Sequence, residues 1–396
     1  MRYTIIGAGI IGNAIAREIS KKNIGSVLVL EKEVDSAMHA SGRNSGVIHS
    51  GINQHYGTNK AQLCLEGSKL LREYCGERNI AMEECGTIIV ALTEKERTDL
   101  ENLLTMAKKV GVPGVRIISQ SELREREPFA KGLEALLSPT GAIVAPKSLA
   151  KSLQADAESF GAKYRFNTIV QEINERTITT SKENFQTDFI INCAGLQADK
   201  IAHMLGVGLN YSVIPFRGEY VSVSAKVNSM IYQVPDLRYP FLGVHLTKST
   251  DGKILAGPTA TISLGGREDY AKKYSPIEIS KILSQRGFIP WVARTLIDPA
   301  SLKQITYNLR LSHSPKFLAR EIEKIYSKEI KISEMYSHPA GIRAQLVDSN
   351  GKLVNDFCIK TTQNSLHILN AVSPGMTSSL AFAKHITDNY LPKYEL

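Results

Sequence analysis

Tryptophan occurs once and cysteine five times among 396 residues. The cysteines (Cys64, Cys75, Cys85, Cys193 and Cys358) are scattered and odd in number, with no C-x-x-C pair and no Cys/His cluster at zinc spacing. That pattern excludes a disulfide scaffold and a structural zinc site, so reduced thiols and no metal are expected. No apolar run approaches ~18 residues, so no membrane-spanning helix is expected. Met1 is followed almost at once by an apolar run that reads as a strand, so no signal peptide is expected and the location is read as cytoplasmic. Internal repeats and low-complexity segments are absent. Lys and Arg outnumber Asp and Glu by 48 to 39, giving a net charge of +9. The basic residues are dispersed and lack interleaved aromatics, which argues against a nucleic-acid partner. The charge suits small anionic substrates, and peripheral contact with the inner face of an anionic membrane stays open.

The residues present are more informative, above all the first 31. Tyr3 to Ile6 reads as a buried strand, followed by Gly7, Gly9 and Gly12 at the spacing G-x-G-x-x-G. Ile11, Ile15 and Ile19 then recur on one helical face. Val27 to Leu30 reads as a second buried strand that ends at Glu31, 19 positions after Gly12. Gly7 allows a tight turn, Gly9 lets backbone approach a pyrophosphate, and Gly12 lets helix and strand pack closely. The helix N-terminus offers N–H groups and a positive dipole end to phosphates. An acid at Glu31 is spaced to reach a ribose hydroxyl. The set implies a dinucleotide site.

NAD and FAD both fit this motif, and the downstream segments discriminate between them. Ser41 to Gly51 is a second glycine- and serine-rich loop. Phe189 to Ala194 is a strand that runs into Gly195, with Asp199 near a helix start. Asn370 to Ser379 is a third small-residue stretch, placed before a C-terminal helix whose N-terminus could stabilise negative charge on a reduced flavin. Three remote loops suit a long ligand, which favours FAD.

The αβ signals are discontinuous. We expect a Rossmann-like α/β FAD-binding domain with a parallel sheet from residues 1–80, 145–210 and 335–396. Residues 81–144 and 211–334 are expected to form an α+β substrate domain with a mixed or antiparallel sheet. In the first, Pro146 to Phe160 reads as a helix, and Lys163 to Ile173 and Arg176 to Thr180 as strands. In the second, Cys85 to Leu92 and Val213 to Val223 read as strands. Ser275-Pro276-Ile277-Glu278 reads as a capping box opening a helix. His313 to Ile332 is basic and partly amphipathic, and it is the segment on which a membrane-docking role would rest.

The chain resembles the FAD-dependent L-2-hydroxyglutarate oxidases and dehydrogenases of the D-amino-acid-oxidase-like superfamily, nearly end to end. The resemblance is carried by SGRNSGVIHSGI (41–52), AQLCLEGSKLL (61–71), PFRGEYVSV (215–223), RYPFLGVHLTKSTDGKILAGPTA (238–260), REDY (267–270), AGIRAQLVD (340–348) and LNAVSPGMTSSLA (369–381). It implies oxidation of the C2 hydroxyl of a 2-hydroxy dicarboxylic acid to the 2-oxo acid, with hydride transfer to flavin N5. Two segments depart from the family pattern. Asn53 to Gly57 lacks its usual tyrosine pair, and SPGMTSSLA is closer to the glycerol-3-phosphate oxidases. Glycerol 3-phosphate therefore remains an alternative substrate, and a membrane-docking flavoprotein subunit an alternative role.

Oxidising a secondary alcohol requires a base, and histidine is suited to it near neutral pH. His49, in the serine-glycine loop, is expected against the flavin, where a covalent link is left open. His245 is expected to hold or deprotonate the substrate hydroxyl. His39, His55 and His338 are weaker candidates. Arg343 matches the arginine that related oxidases aim at a substrate carboxylate, and its planar fork suits that task. For a second carboxylate, Arg217, Arg238, Tyr239 and Lys248 are available, with Tyr239 first. The expected cofactor side comprises Gly7, Gly9, Ile11, Gly12, Glu31, Lys32, Ser41, Arg43, Asn44, Ser45, Gly46, Val170, Ala194, Gly195, Gly375, Met376, Thr377 and Ser378. The electron acceptor is read as oxygen or a quinone.

Overall fold

Alternate residues of the first strands face two different cores, which is why their runs are mostly apolar. In a computed structural model that describes residues 1–235 and 243–391, strands Arg2–Ile6, Ser26–Leu30 and Phe189–Asn192 lie side by side in parallel. Ile5, Val29 and Ile191 point into one cluster with the helix Ile10–Lys21, while Ile6, Leu30 and Ile190 point into another with Ile173 and Ile178. A strand buried on both faces carries no polar alternation. The complete sheet has six strands, ordered Cys358–Thr361, Ser365–Asn370, Phe189–Asn192, Arg2–Ile6, Ser26–Leu30 and Lys163–Arg165. All its pairs are parallel except the first.

Helix Ile10–Lys21 covers one face of this sheet and packs against helices Pro146–Ser159 and Gly375–Asn389, and the second of these carries helix Asn59–Glu77. Ile15 and Ile19 are fully buried there, each contributing about 1.5–3 kcal/mol relative to exposure. Ile11 is only partly buried and turns instead toward a cavity.

The segment Lys163 to Ile173 is two strands. Lys163–Arg165 ends the parallel sheet, Asn167 takes a left-handed backbone (φ 52°), and Val170–Asn174 begins a separate antiparallel sheet with Thr177–Thr180 and Asn184–Gln186. Val213 to Val223 also divides. Tyr211–Gly218 pairs with Gly341–Asp348 and Thr261–Ile262 in a three-stranded sheet. Val221–Val223 joins an eight-stranded one.

The eight-stranded sheet is antiparallel except where Thr87–Ala91 runs parallel to Met230–Gln233. Ile89 and Leu136 face helix Glu94–Val110, and Ile88 and Leu137 face helix Pro315–Ile325. The apolar side of the basic stretch after His313 is therefore engaged, with Leu318, Ile322 and Ile325 buried on the sheet. At Ser275 only half of the capping box forms: Ser275 Oγ accepts from the Glu278 N–H at 3.3 Å, while the Glu278 carboxylate accepts from Lys281. Among the described residues, no helix is long and apolar enough to cross a membrane.

Candidate active site

The glycine turn is built as its spacing requires. Gly7 has φ 106°, and a Cβ there would stand 2.6 Å from the Cys193 carbonyl oxygen. A Cβ on Gly12 would collide with the Gly7 carbonyl, so helix and strand can meet only without side chains. A Cβ on Gly9 would lie 2.9 Å from Ser41 Oγ. That hydroxyl accepts from the Ile10 N–H at 2.8 Å, joining the second small-residue loop to the first helix. The C-terminal helix begins beside them at Gly375, where Thr377 Oγ1 accepts from the His49 N–H at 3.0 Å and donates to the Val47 carbonyl at 3.3 Å. Ser378 and Ser379 carry buried hydroxyl oxygens with no partner. The three remote turns therefore converge. The space they border is a cavity of about 530 Å³, ordinary for a small-molecule site. The bare glycine cradle and the two helix N-termini, at Ile10 and Gly375, fit a dinucleotide.

Of the expected residues, Gly9, Ile11, Ser41, Arg43, Asn44, Ser45, Gly195, Gly375, Met376 and Thr377 line the cavity, with His49, His245 and Arg343. Gly7, Gly12, Gly46, Ala194 and Ser378 lie behind that lining. Glu31 is buried and does not reach it. Its carboxylate accepts from the N–H groups of Ala8 (2.8 Å) and Glu33 (2.9 Å), bracing the glycine turn. Lys32 bridges Glu33 and Glu268 at 2.7 and 2.8 Å. Val170 packs at the edge of the Ile6–Leu30 cluster. Asn44 braces its own loop through Ala40, Ser41 and Gly46. Arg43 donates to the carbonyls of Met38 and Ala340 and lies 3.9 Å over the Tyr270 ring. Tyr239 and Arg238 lie outside the described residues.

His245 is buried at the start of strand His245–Lys248 and stacks on Tyr232, ring centroids 4.1 Å apart. Its Nδ1 is 3.0 Å from the Gly243 carbonyl. A carbonyl only accepts, so Nδ1 carries the proton and Nε2 is left as an acceptor, the tautomer that a base requires. His49 Nε2 is 3.3 Å from Ser373 Oγ. Burial pushes both imidazoles down to about 4, and the nearness of His49 lowers His245 further. Both are therefore neutral at pH 7. Of the weaker candidates, only His55 lines the cavity; His39 is held between Glu33 and Tyr270.

Arg343 lies on strand Gly341–Asp348, opposite Phe216 in the ladder, with Nε donating to Gln345 Oε1 at 3.2 Å. Burial pushes its guanidinium down to about 10. Two candidates for the second carboxylate are already engaged: Arg217 with Glu219 at 3.3 Å and with the Asp269 carbonyl, and Lys248 with Glu83. Sequence reasoning missed Lys60. It is 7% exposed, lines the cavity, and its ammonium donates to the Ser373 carbonyl at 3.1 Å. Burial and the repulsion of Arg343 push it down to about 7. One signal existed: a lysine second in a helix opposes the dipole there.

A family model described as FAD dependent oxidoreductase matches residues 2–389. The chain is 34% identical to human mitochondrial L-2-hydroxyglutarate dehydrogenase, over 99% of this chain and 89% of that one. It is 36% identical to L-2-hydroxyglutarate dehydrogenase of Indibacter alkaliphilus, over 98% of both chains. Among solved structures, L-alpha-glycerophosphate oxidase from Mycoplasma pneumoniae, with FAD bound, superposes with a TM-score of 0.72. That match covers 100% of this chain and 96% of the other at 23% identity, so the likeness is one of fold. With its glycine cradle and nearly complete coverage by these relatives, the chain belongs to the FAD-dependent oxidoreductase family and, within it, to the group containing the L-2-hydroxyglutarate dehydrogenases.

Proposed function

We propose that this chain oxidises the C2 hydroxyl of L-2-hydroxyglutarate, or of a close 2-hydroxy acid, to the 2-oxo acid. The observation that carries this reading is the meeting of two neutral imidazoles and Arg343 in one cavity. Bound FAD would supply the acceptor for the hydride that leaves C2. Gly9, Ser41 and Arg43 would hold its phosphates, with Gly7 and Gly12 shaping the turn behind them and Glu31 bracing that turn, and Gly375 to Thr377 would border its ring. Arg343 presents its planar fork to the C1 carboxylate and so fixes which face of C2 meets the flavin. Nε2 of His245 accepts the hydroxyl proton, and Gly243 holds the ring in the tautomer for that transfer. His49, anchored by Thr377 and Ser373, packs against the cofactor side. The nucleotide-binding domain (1–80, 145–210, 335–396) and the substrate domain (81–144, 211–334) meet at this seam.

The partners belong to the same proposal. The electrons pass to oxygen or a quinone, and the protein works in the cytoplasm. A peripheral contact with an anionic membrane falls to helices Pro276–Leu283 and Phe288–Ile297, where Ile277, Ile289 and Ile297 stand exposed, rather than to the engaged helix after them. Pelleting with anionic vesicles checks this contact. The test of function is anaerobic bleaching of the purified holoenzyme. L-2-hydroxyglutarate should bleach the flavin faster than glycerol 3-phosphate, and failure of every 2-hydroxy acid would sink the reading.

A further inference from the structure

A histidine base is often steadied by a carboxylate, which holds Nδ1–H and offsets the imidazolium that forms. His245 has no such partner. Its Nδ1 meets the Gly243 carbonyl, and among the described residues no carboxylate reaches either ring nitrogen. Its close neighbours are aromatic instead, and the strand ladder puts them there. Leu246 pairs with Ile231 across antiparallel strands, so the next pair is His245 and Tyr232, side by side on one face. The two rings lie 4.1 Å apart with their planes 19° from parallel. On its other side His245 pairs with Gly257, which offers no side chain. A Cβ at Gly257 would stand 3.0 Å from Tyr220 Cδ1, so the glycine makes room for a second ring. Tyr220 meets the imidazole edge-on at 6.2 Å. Both tyrosines line the catalytic cavity, and Tyr232 is buried. The other basic groups His49, Lys60 and Arg343 line the same cavity, and none of them offers a negative charge.

We propose that Tyr232 is a positioning residue for the base. Its ring face fixes the plane of the His245 imidazole and stabilises the positive charge gained when Nε2 takes the hydroxyl proton. The inference rests on the functional reading above and adds a residue to it. In that step the substrate O–H bond breaks, and its proton and one positive charge arrive on Nε2. The hydride leaves C2 separately. A tyrosine face attracts a cation most strongly where water is excluded, as it is around this buried pair. Burial and His49 both disfavour the charged imidazole, and the ring face is the neighbouring group that opposes them.

The experiment uses the full-length holoenzyme, with flavin content matched by absorbance, and follows single-turnover flavin reduction by L-2-hydroxyglutarate. Tyr232→Phe keeps the ring face and should stay within about 3-fold of wild type. Tyr232→Leu keeps much of the bulk without the face. It should slow reduction about 10-fold or more, with little change in KM. Tyr232→pentafluorophenylalanine keeps the shape of the ring and reverses the charge of its face, so it should be slowed as the Leu variant is. A readout free of turnover comes from NMR titration of isotope-labelled histidines, with His245 assigned by the signal lost in His245→Gln. The fluorinated protein should protonate His245 about 10-fold less readily than Tyr232→Phe. Equal rates and equal titrations in those two proteins overturn the proposal. A loss in Tyr232→Phe as large as in Tyr232→Leu assigns the effect to the hydroxyl and overturns it too. Undiminished flavin reduction in His245→Gln, or failure of the wild type on every 2-hydroxy acid, sinks the functional reading instead, and the titration still tests the stack.

Discussion

The chemistry of this cavity rests on imidazoles that resist charge. His49 and His245 are pushed down to about 4 from 6.5, so kcat/KM should stay level as pH falls through 6.5 and decline only toward 4. A pH–rate profile checks this, and an acid limb at 6.5 would contradict it. Replacing His245 by Gln should lower kcat about 100- to 10,000-fold with flavin content unchanged, read from single-turnover flavin reduction. These groups also couple stability to pH. His367, hydrogen-bonded to Asn192 and Ser365, is likewise held near 4 by burial. Between the folded and unfolded values the unfolded chain binds more protons. The contribution is therefore complete above 6.5 and is lost as pH falls toward 4. Urea midpoints measured across that window should drop on acidification. His49 was legible as a histidine in a serine- and glycine-rich loop, whereas His245 and Arg343 were legible through the segments that carry the family resemblance. Lys60 was not, because its meaning comes from Ser373, 313 positions away, and from Arg343. Spacing after Glu31 also cannot tell which side chains face a ligand: Lys32 sits in an ion-pair bridge.

Among the elements, the loop holding REDY (267–270) shows how one short segment ties several together. Arg267 forms a two-pronged buried pair with Asp199, at 2.5 and 2.7 Å, and donates to the Leu196 carbonyl. Asp199 also accepts from the Val213 N–H at 2.9 Å, so its carboxyl is held below the usual range although burial opposes this. Tyr270 meets His39 at 2.7 Å and lies under Arg43. Arg267→Met leaves a buried carboxylate without its partner and should cost about 3–5 kcal/mol, read as a lower denaturant midpoint. The glycine turn makes a different prediction. Gly12→Val forces helix and strand apart, so the protein should purify with little or no flavin, measured by absorbance after gel filtration. Element types followed from periodicity, but breaks within them did not. The division of 163–173 at Asn167 and of 213–223 after Gly218 depends on which sheet has room for the next strand.

On the scale of the whole molecule, a net charge of +9 surrounds a cavity that holds buried cations. Association with a dianion should be steered by this field. Raising ionic strength from 0.01 to 0.15 M shortens the screening length from about 30 to about 8 Å, so kcat/KM should fall across a KCl series. A salt-independent kcat/KM would show that steering plays no part. The nucleotide cradle was visible in the sequence because glycine spacing is local, whereas the cavity beside it is assembled from separate sheets and was not. Arg343 illustrates the dependence, since its direction is set by the antiparallel ladder that puts it opposite Phe216. Successive side chains on a strand point opposite ways, so adding or deleting one residue between 341 and 345 would send the guanidinium to the far side. Apart from Gly341, where a Cβ would stand 2.2 Å from the Arg43 carbonyl oxygen, and Arg343 itself, this stretch should therefore accept changes of letter more readily than changes of length.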